Sequence, residues 1–380
     1  MDKAKKNYYI TRILRFITRL FYIVPVKKGR VVITSFNGRQ YSCNPKYITE
    51  ALAQQNSHEV IYALLKGKQF ALPANIRRVD YCSFAHFYYL MTAQYIIVNS
   101  SGVAGLLPYR KTQTLINTWH GVAFKPTGND TSTNAYQQRL RKISGSNTDI
   151  YLSSCENFTT HQSAAQNVAL SHFLNIGMPR NDIFFRTSEE IESVKAKVRN
   201  HFHIPAESKV VLYAPTYREG AVKSLAQSHI DIIAAEDVIQ ALTLRFGQQF
   251  LFLFRAHHDM LPDSVDPKWI NTSDYPDMQE LLCLTDVYIT DYSSAMWDYA
   301  LQNKPGFLFA PDLEQYESTH RFWSPKESWP YPIAKSNAEL IQLIETYDSA
   351  VQSNRIRRFF ESMQNYETGT ATASLSKIIE

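Results

Sequence analysis

An α/β fold built from two doubly wound Rossmann-like halves that face a cleft is predicted by three observations. Short apolar runs alternate with amphipathic segments along nearly the whole chain, which is the pattern of a mostly parallel sheet covered by helices. The alternation breaks once, between Gly177 and Val210, at the charged helical stretch SEEIESVKAKVRNHF, which has no partner strands of its own and marks a boundary. The length of 380 residues with 44% hydrophobic residues suffices for two cores rather than one. The expected division is a basic amphipathic segment over 1–28, an N-terminal domain over 29–185, and a C-terminal domain over 186–380 that ends in helices.

The net charge of +5 is not spread evenly, because the first thirty residues hold nine Lys or Arg against a single Asp. The body is left slightly acidic and has no aromatic-basic groove motif, so nucleic acid is excluded as a partner. From Tyr8 to Val24, YYITRILRFITRLFYIV places Ile10, Ile13, Leu14, Ile17, Leu20, Phe21 and Val24 on one side of a helix and Arg12, Arg15 and Arg19 on the other. A basic amphipathic helix of this kind, stopped at Pro25, suits an anionic membrane surface. The same pattern also allows a helix packed on the protein's own body. No apolar run is long enough to span a bilayer, and the arginines interrupt what would otherwise be a signal peptide. Cys43, Cys82, Cys155 and Cys283 lie far apart, without metal-binding spacing, and read as reduced cytosolic thiols.

In the first half, strands are expected at Val31–Phe36, Val60–Leu64, Arg78–Tyr81, Tyr95–Asn99, Thr114–Thr118 and Asp149–Ser153. Helices are expected at about Lys46–Gln54, Phe84–Thr92 and Glu156–Asn167. The second half repeats the alternation with Val210–Ala214, the helix Ala235–Phe246, Phe250–Arg255, and the unit Tyr288–Ala310. In that last unit the apolar run Val287–Thr290 stops at Asp291-Tyr292-Ser293-Ser294, a helix follows over Ala295–Gln302, and Gly306–Phe309 is the next strand. Ser293 and Ser294 therefore fall at the helix start, where hydroxyls and free N–H groups suit a phosphate. Simple helix capping by Asp291 and Ser293 is the competing reading.

Four polar clusters follow predicted strands: Asn117–Gly121 with Lys125 beyond it, Tyr213–Glu219, Arg255–His258, and Asp291–Ser294. In an α/β fold such positions line the ligand site. His120, between a β-run and a glycine, can act as a general base near neutral pH, or can serve as a hydrogen-bonded structural residue. Arg255 and His257 offer two donors after one wholly apolar strand, which suits a pyrophosphate. The chain has no Asp-x-Asp pair, no Walker A loop and no Gly-x-Gly. These absences point away from a metal-clamped nucleotide sugar, a P-loop NTPase and a dinucleotide-dependent dehydrogenase. Neither a metal nor a cofactor is expected.

The segments NTWHGVAFKPTG, IGMPRNDIFF, YAPTYRE, LFRAHH, DYPDMQELLCLTDVYITDYSSAMWDYA and LFAPDLEQYESTHRFW, taken in order, resemble the motif series of the CDP-glycerol glycerophosphotransferases of teichoic acid synthesis. The likeness runs from about Val31 to Trp323 and extends to the loop SFNGRQYSCNPKYI. The resemblance implies a GT-B type fold, peripheral attachment to the cytoplasmic face of the cell membrane, and metal-independent transfer of glycerol phosphate from CDP-glycerol. It further implies an acceptor-side N-terminal domain and a donor-binding C-terminal domain. By motif, His120 takes the general-base position and His257 that of a second histidine near the donor pyrophosphate. Ser293 and Ser294 match a serine pair at the donor phosphates. Asp291, Arg255, Arg180, Thr216 and Arg218 are expected on the donor side, Lys125 and Asp182 on the acceptor side. The chain departs from the family at Val122–Gly128, where only Lys125 stands in place of two adjacent lysines, and at YESTHRFW, which lacks an arginine-glycine pair. Both departures bear on the acceptor more than on the reaction.

The expected function is transfer of glycerol phosphate to a hydroxyl of a lipid-linked acceptor with release of CMP, a single unit being added given the short chain. A CDP-ribitol donor, a poly(glycerol phosphate) product and a nucleotide-sugar glycosyltransferase on the same fold are the alternatives.

Overall fold

Apolar runs such as VVIT, YIIV, VVLY and FLFLF lack period-two alternation because both faces of their strands are covered, and in the structure they form the interior of two wholly parallel sheets. The computed structural model describes residues 2–122, 125–216, 233–256, 265–319 and 321–380. The chain folds as two units, Met1–Phe185 together with Met363–Glu380, and Arg186–Ser362.

The first unit holds a seven-stranded sheet of β1 (Lys27–Thr34), β2 (Glu59–Leu64), β3 (Arg77–Asp80), β4 (Ala93–Val98), β5 (Thr114–Asn117), β6 (Ile150–Ser153) and β7 (Phe173–Asn175). Their order is β3-β2-β1-β4-β5-β6-β7. The second unit holds β8 (Lys209–Ala214), β9 (Phe250–Phe254), β10 (Ile270–Asn271), β11 (Val287–Thr290), β12 (Gly306–Phe309) and β13 (Ile333–Ala334), in the order β10-β9-β8-β11-β12-β13. In each sheet the first strand is central, the next two step outward on one side, and the fourth lies on the other side. The order thus reverses between β1 and β4 and again between β8 and β11, and ligands of doubly wound sheets bind beyond the carboxyl ends of such strand pairs.

Helices of the first unit are α1 (Lys3–Thr18), α2 (Cys43–Gln55), α3 (Phe84–Thr92), α4 (Ala135–Asn147) and α5 (Glu156–Gln166). Sequence periodicity does not show α4, whose polar composition gives little apolar stripe; its signal is the cap Asn134, which accepts from the backbone N–H groups of Tyr136 and Gln137. The strands β7, β10 and β13 are two or three residues long, too short to register as runs. The segment Met363–Glu380, expected with the second half, belongs instead to the first unit. Its helix Ala371–Ile379 buries Leu375 and Ile379 there, and Glu367 accepts from Met178 N and Asn181 Nδ2, each at 3.0 Å.

The N-terminal helix packs on the first unit by one face, as one of the two expectations has it. Ala4, Thr11 and Thr18 are buried, Leu14 and Phe21 pack on the core beneath β1 and β4, and Tyr8 meets Tyr136 of α4. The opposite face is apolar and bare: Tyr9, Ile10, Ile13, Phe16, Ile17, Leu20 and Ile23 are exposed, Phe16 by 74% and Leu20 by 69%. The three arginines do not share one solvent face. Arg12 and Arg19 are exposed, whereas Arg15 turns inward and donates to the Leu106 carbonyl at 2.6 Å. Among the described residues no helix is long and apolar enough to cross a membrane.

His86 in α3 is fully buried, and its Nδ1 accepts from the Cys82 backbone N–H at 3.0 Å, so the ring is held neutral. Burial lowers its pKa to about 4. Between about 4 and the ordinary histidine value, the unfolded chain binds a proton that the folded chain refuses, so stability must fall as pH drops through that window, by at most about 3 kcal/mol. Urea denaturation at pH 7 and pH 4.5 should show a smaller loss in His86→Gln than in the native chain; equal losses would contradict this account.

Candidate active site

At the carboxyl end of the first sheet, β1, β4 and β5 run into a shared polar network. Asn99, fully buried just past β4, accepts from Phe36 N at 2.7 Å and donates from Nδ2 to Ser35 Oγ at 3.2 Å. These bonds fix the turn after β1. The Asn99 carbonyl lies 2.7 Å from Nδ1 of His120, and the imidazole also stacks on Trp119 (centroids 4.4 Å) and lies 5.4 Å from the Phe36 ring. A carbonyl only accepts, so this bond puts the proton of the neutral ring on Nδ1 and the lone pair on Nε2. The imidazole itself is exposed. That is the state a general base needs.

The loop carrying His120 is anchored from below. Asn44, at the start of α2, donates from Nδ2 to the carbonyls of Thr118 (3.0 Å) and Trp119 (3.1 Å), and its Oδ1 accepts from Arg180 N at 3.0 Å. Trp119 has φ of 52°, a left-handed conformation costly for a bulky residue. Lys125 is partly buried and immediately follows two residues outside the described set. Arg180 and Asp182 lie in the turn Pro179–Phe185. Arg180 is 2% exposed, with Nη1 3.6 Å from the Cys43 sulfur. The Asp182 carboxylate accepts from Ala371 N (3.1 Å) and Thr372 N (2.7 Å), capping the C-terminal helix. Both side chains are built into the scaffold of the first unit.

In the second unit the matching strand ends are those of β8 and β11. Asp291, 3% exposed, does not cap the helix that follows; its carboxylate accepts from Thr216 N at 2.9 and 3.1 Å and from Tyr292 N at 2.6 Å. It thereby ties the loop after β8 to the end of β11. Ser293 and Ser294 are partly exposed at the start of the helix Ala295–Ala300, which is shorter than expected, and Ser293 Oγ accepts from Ala295 N at 3.3 Å. Arg255 follows β9, and its Nη1 donates to the carbonyls of Thr272 and Tyr275, both at 2.8 Å. Burial lowers its pKa, opposed by Asp277, Tyr288 and Asp274. Its guanidinium holds the loop after β10 in place. His257 and Arg218 lie outside the described residues. Among the described residues no three His, Cys, Asp or Glu side chains are grouped to hold a metal ion.

The sequence reading missed Asn99, Asn44 and Phe36. Asn99 carried a usable signal, a polar side chain directly after the apolar run YIIV; Phe36 and Asn44 lie in the segment SFNGRQYSCNPKYI, which carried the resemblance without marking either residue.

Two doubly wound units of wholly parallel strands, each with polar strand ends, define a GT-B-like fold. Residues 16–380 match the family model for CDP-glycerol:poly(glycerophosphate) glycerophosphotransferases, and the chain belongs to that family. It is 27% identical to the teichoic acid glycerol-phosphate transferase of Staphylococcus aureus (strain NCTC 8325 / PS 47), over 93% of each chain. It is 25% identical to the teichoic acid ribitol-phosphate primase of Bacillus spizizenii (strain ATCC 23059 / NRRL B-14472 / W23), over 98% of this chain and 97% of that one. It is 28% identical to the teichoic acid poly(glycerol phosphate) polymerase of Bacillus subtilis (strain 168), of which the match spans about half (47%) against 90% of this chain. A solved structure of the wall teichoic acid polymerase TagF has the same fold, with a TM-score of 0.82, 24% identity, and coverage of 99% of this chain and 96% of that one.

Removing the Asp291 carboxylate leaves two backbone N–H groups without their buried acceptor. Asp291→Ala should therefore lower the unfolding free energy by about 1–3 kcal/mol. An unchanged urea midpoint would show that the two strand ends are not held by this residue.

Proposed function

We propose that the protein transfers glycerol phosphate from CDP-glycerol to a hydroxyl of a lipid-linked acceptor at the cytoplasmic face of the cell membrane, adding a single unit and releasing CMP. The observation that carries this reading is the His120 imidazole, fixed by the Asn99 carbonyl as the tautomer that accepts a proton at Nε2. In the reaction the acceptor oxygen bonds to the β-phosphorus of the donor as the bond to the bridging oxygen breaks. The hydroxyl proton passes to His120, and CMP departs with the bridging electron pair. Charge on the departing side is assigned to the second unit, to Ser293, Ser294, Thr216 and the cation Arg255, with His257 and Arg218 completing the set by motif. Lys125 is assigned to the acceptor side with His120. Relatives named for glycerol phosphate and for ribitol phosphate match with similar identity, which keeps CDP-ribitol as the second reading.

The exposed apolar stripe of α1 supports the membrane assignment. Phe84, also exposed, has its ring 5.5 Å from that of Phe21, and the cations Arg12, Arg19, Lys27 and Lys28 of the same N-terminal stretch are exposed. Apolar side chains beside cations fit an anionic lipid surface.

His120→Ala should lower kcat by roughly 10²-fold or more while donor affinity, read by calorimetry, stays within about twofold. Loss of donor binding without a fall in turnover would refute the base. For the membrane surface, the paired change Phe16→Ser and Leu20→Ser should abolish most sedimentation with phosphatidylglycerol vesicles at unchanged thermal stability, since both side chains are exposed. Undiminished sedimentation would place the lipid contact elsewhere.

A further inference from the structure

The His120 loop is held in a conformation it would not choose alone. Trp119 sits at φ 52°, and the turn it makes sets the direction in which His120 leaves β5. The peptides on either side of that turn have their carbonyls aimed at one side chain. Asn44 is 0% exposed and uses its whole amide: Nδ2 donates to Thr118 O and Trp119 O, and Oδ1 accepts from Arg180 N. The turn on its far side is itself fixed, since Glu367 accepts from Met178 N and Asn181 Nδ2 and Asp182 accepts from Ala371 N and Thr372 N. A continuous set of hydrogen bonds thus runs from the C-terminal segment through the Met178–Asp182 turn and Asn44 to the peptides that precede His120.

We infer that Asn44 is the positioning residue of the reaction, holding the strained Trp119 peptide so that His120 meets both the Asn99 carbonyl and the acceptor hydroxyl. This rests on His120 being the base. Only an amide side chain serves at this position, because it must donate twice toward carbonyls and accept once from an N–H. An aspartate of the same shape keeps the acceptor but sets a carboxylate oxygen against two carbonyl oxygens, which pushes the loop away. A displacement of about 1 Å at a catalytic group is enough to cost about 10²-fold in rate.

The test is a double-mutant cycle on the full chain, with initial rates and calorimetric titration of CDP-glycerol. Asn44→Asp should lower kcat about 10- to 100-fold with donor affinity within about twofold. In the His120→Ala background the same change should cost less than about twofold, because a residue that acts through His120 has nothing left to position. Should Asn44→Asp not fold by circular dichroism, Asn44→Ala takes its place in the same cycle. Full turnover in the single variant, or an equal loss in the presence and absence of His120, would overturn the inference. Full turnover in His120→Ala would instead remove the base, which separates failure of the functional reading from failure of this one.

Discussion

A neutral imidazole whose Nδ1 proton is held by a backbone carbonyl has only Nε2 with which to take another. The bond from His120 to the Asn99 carbonyl imposes that constraint, and the surrounding elements are arranged to keep it. β4 places the carbonyl, the side chain of the same asparagine fixes the turn after β1, and Phe36 from that turn and Trp119 border the ring. Because the histidine itself is exposed, its orientation depends on the buried Asn99 and on the partly buried rings of Phe36 and Trp119 beside it. An exposed side chain with buried supports is the usual economy of an active site, since the reacting group must reach substrate while its geometry must not drift.

The second unit follows the same plan with different residues. The Asp291 carboxylate accepts from the backbone N–H groups of Thr216 and Tyr292. What it supplies is the relative placement of two strand ends, leaving the hydroxyls of Ser293 and Ser294 partly exposed beside them. Arg255 plays a comparable part for the loop after β10. Among the described residues of the second unit, Asp291 and Arg255 thus hold backbone in place, while Ser293 and Ser294 present partly exposed hydroxyls, which donate to phosphate oxygens at little desolvation cost.

The parallel sheets were legible because strands buried on both faces leave continuous apolar runs, and the extents of Phe84–Thr92, Ala235–Phe246, Val287–Thr290 and Gly306–Phe309 agree with the structure. His120 was legible because it stands alone between a strand and a glycine. Its supports were not. Asn44 is recognisable only when α2, the end of β5 and the Met178–Asp182 turn are brought together, and its partners Thr118 and Arg180 lie 74 and 136 residues away in sequence. The placement of Met363–Glu380 was illegible for the same reason: amphipathic helices reveal that they pack, not against what. For α1 the periodicity correctly gave an apolar side but could not say that the buried side would be lined by Ala4, Thr11 and Thr18, leaving large apolar residues exposed.

The central claim is that this chain moves glycerol phosphate from CDP-glycerol to a lipid-linked hydroxyl. Incubation of the purified protein with CDP-glycerol and a lipid-linked disaccharide, followed by mass spectrometry, tests it most directly. The account predicts equimolar CMP and an acceptor heavier by one glycerol phosphate. An unmodified acceptor with CDP-glycerol that becomes modified with CDP-ribitol or with a nucleotide sugar would contradict it.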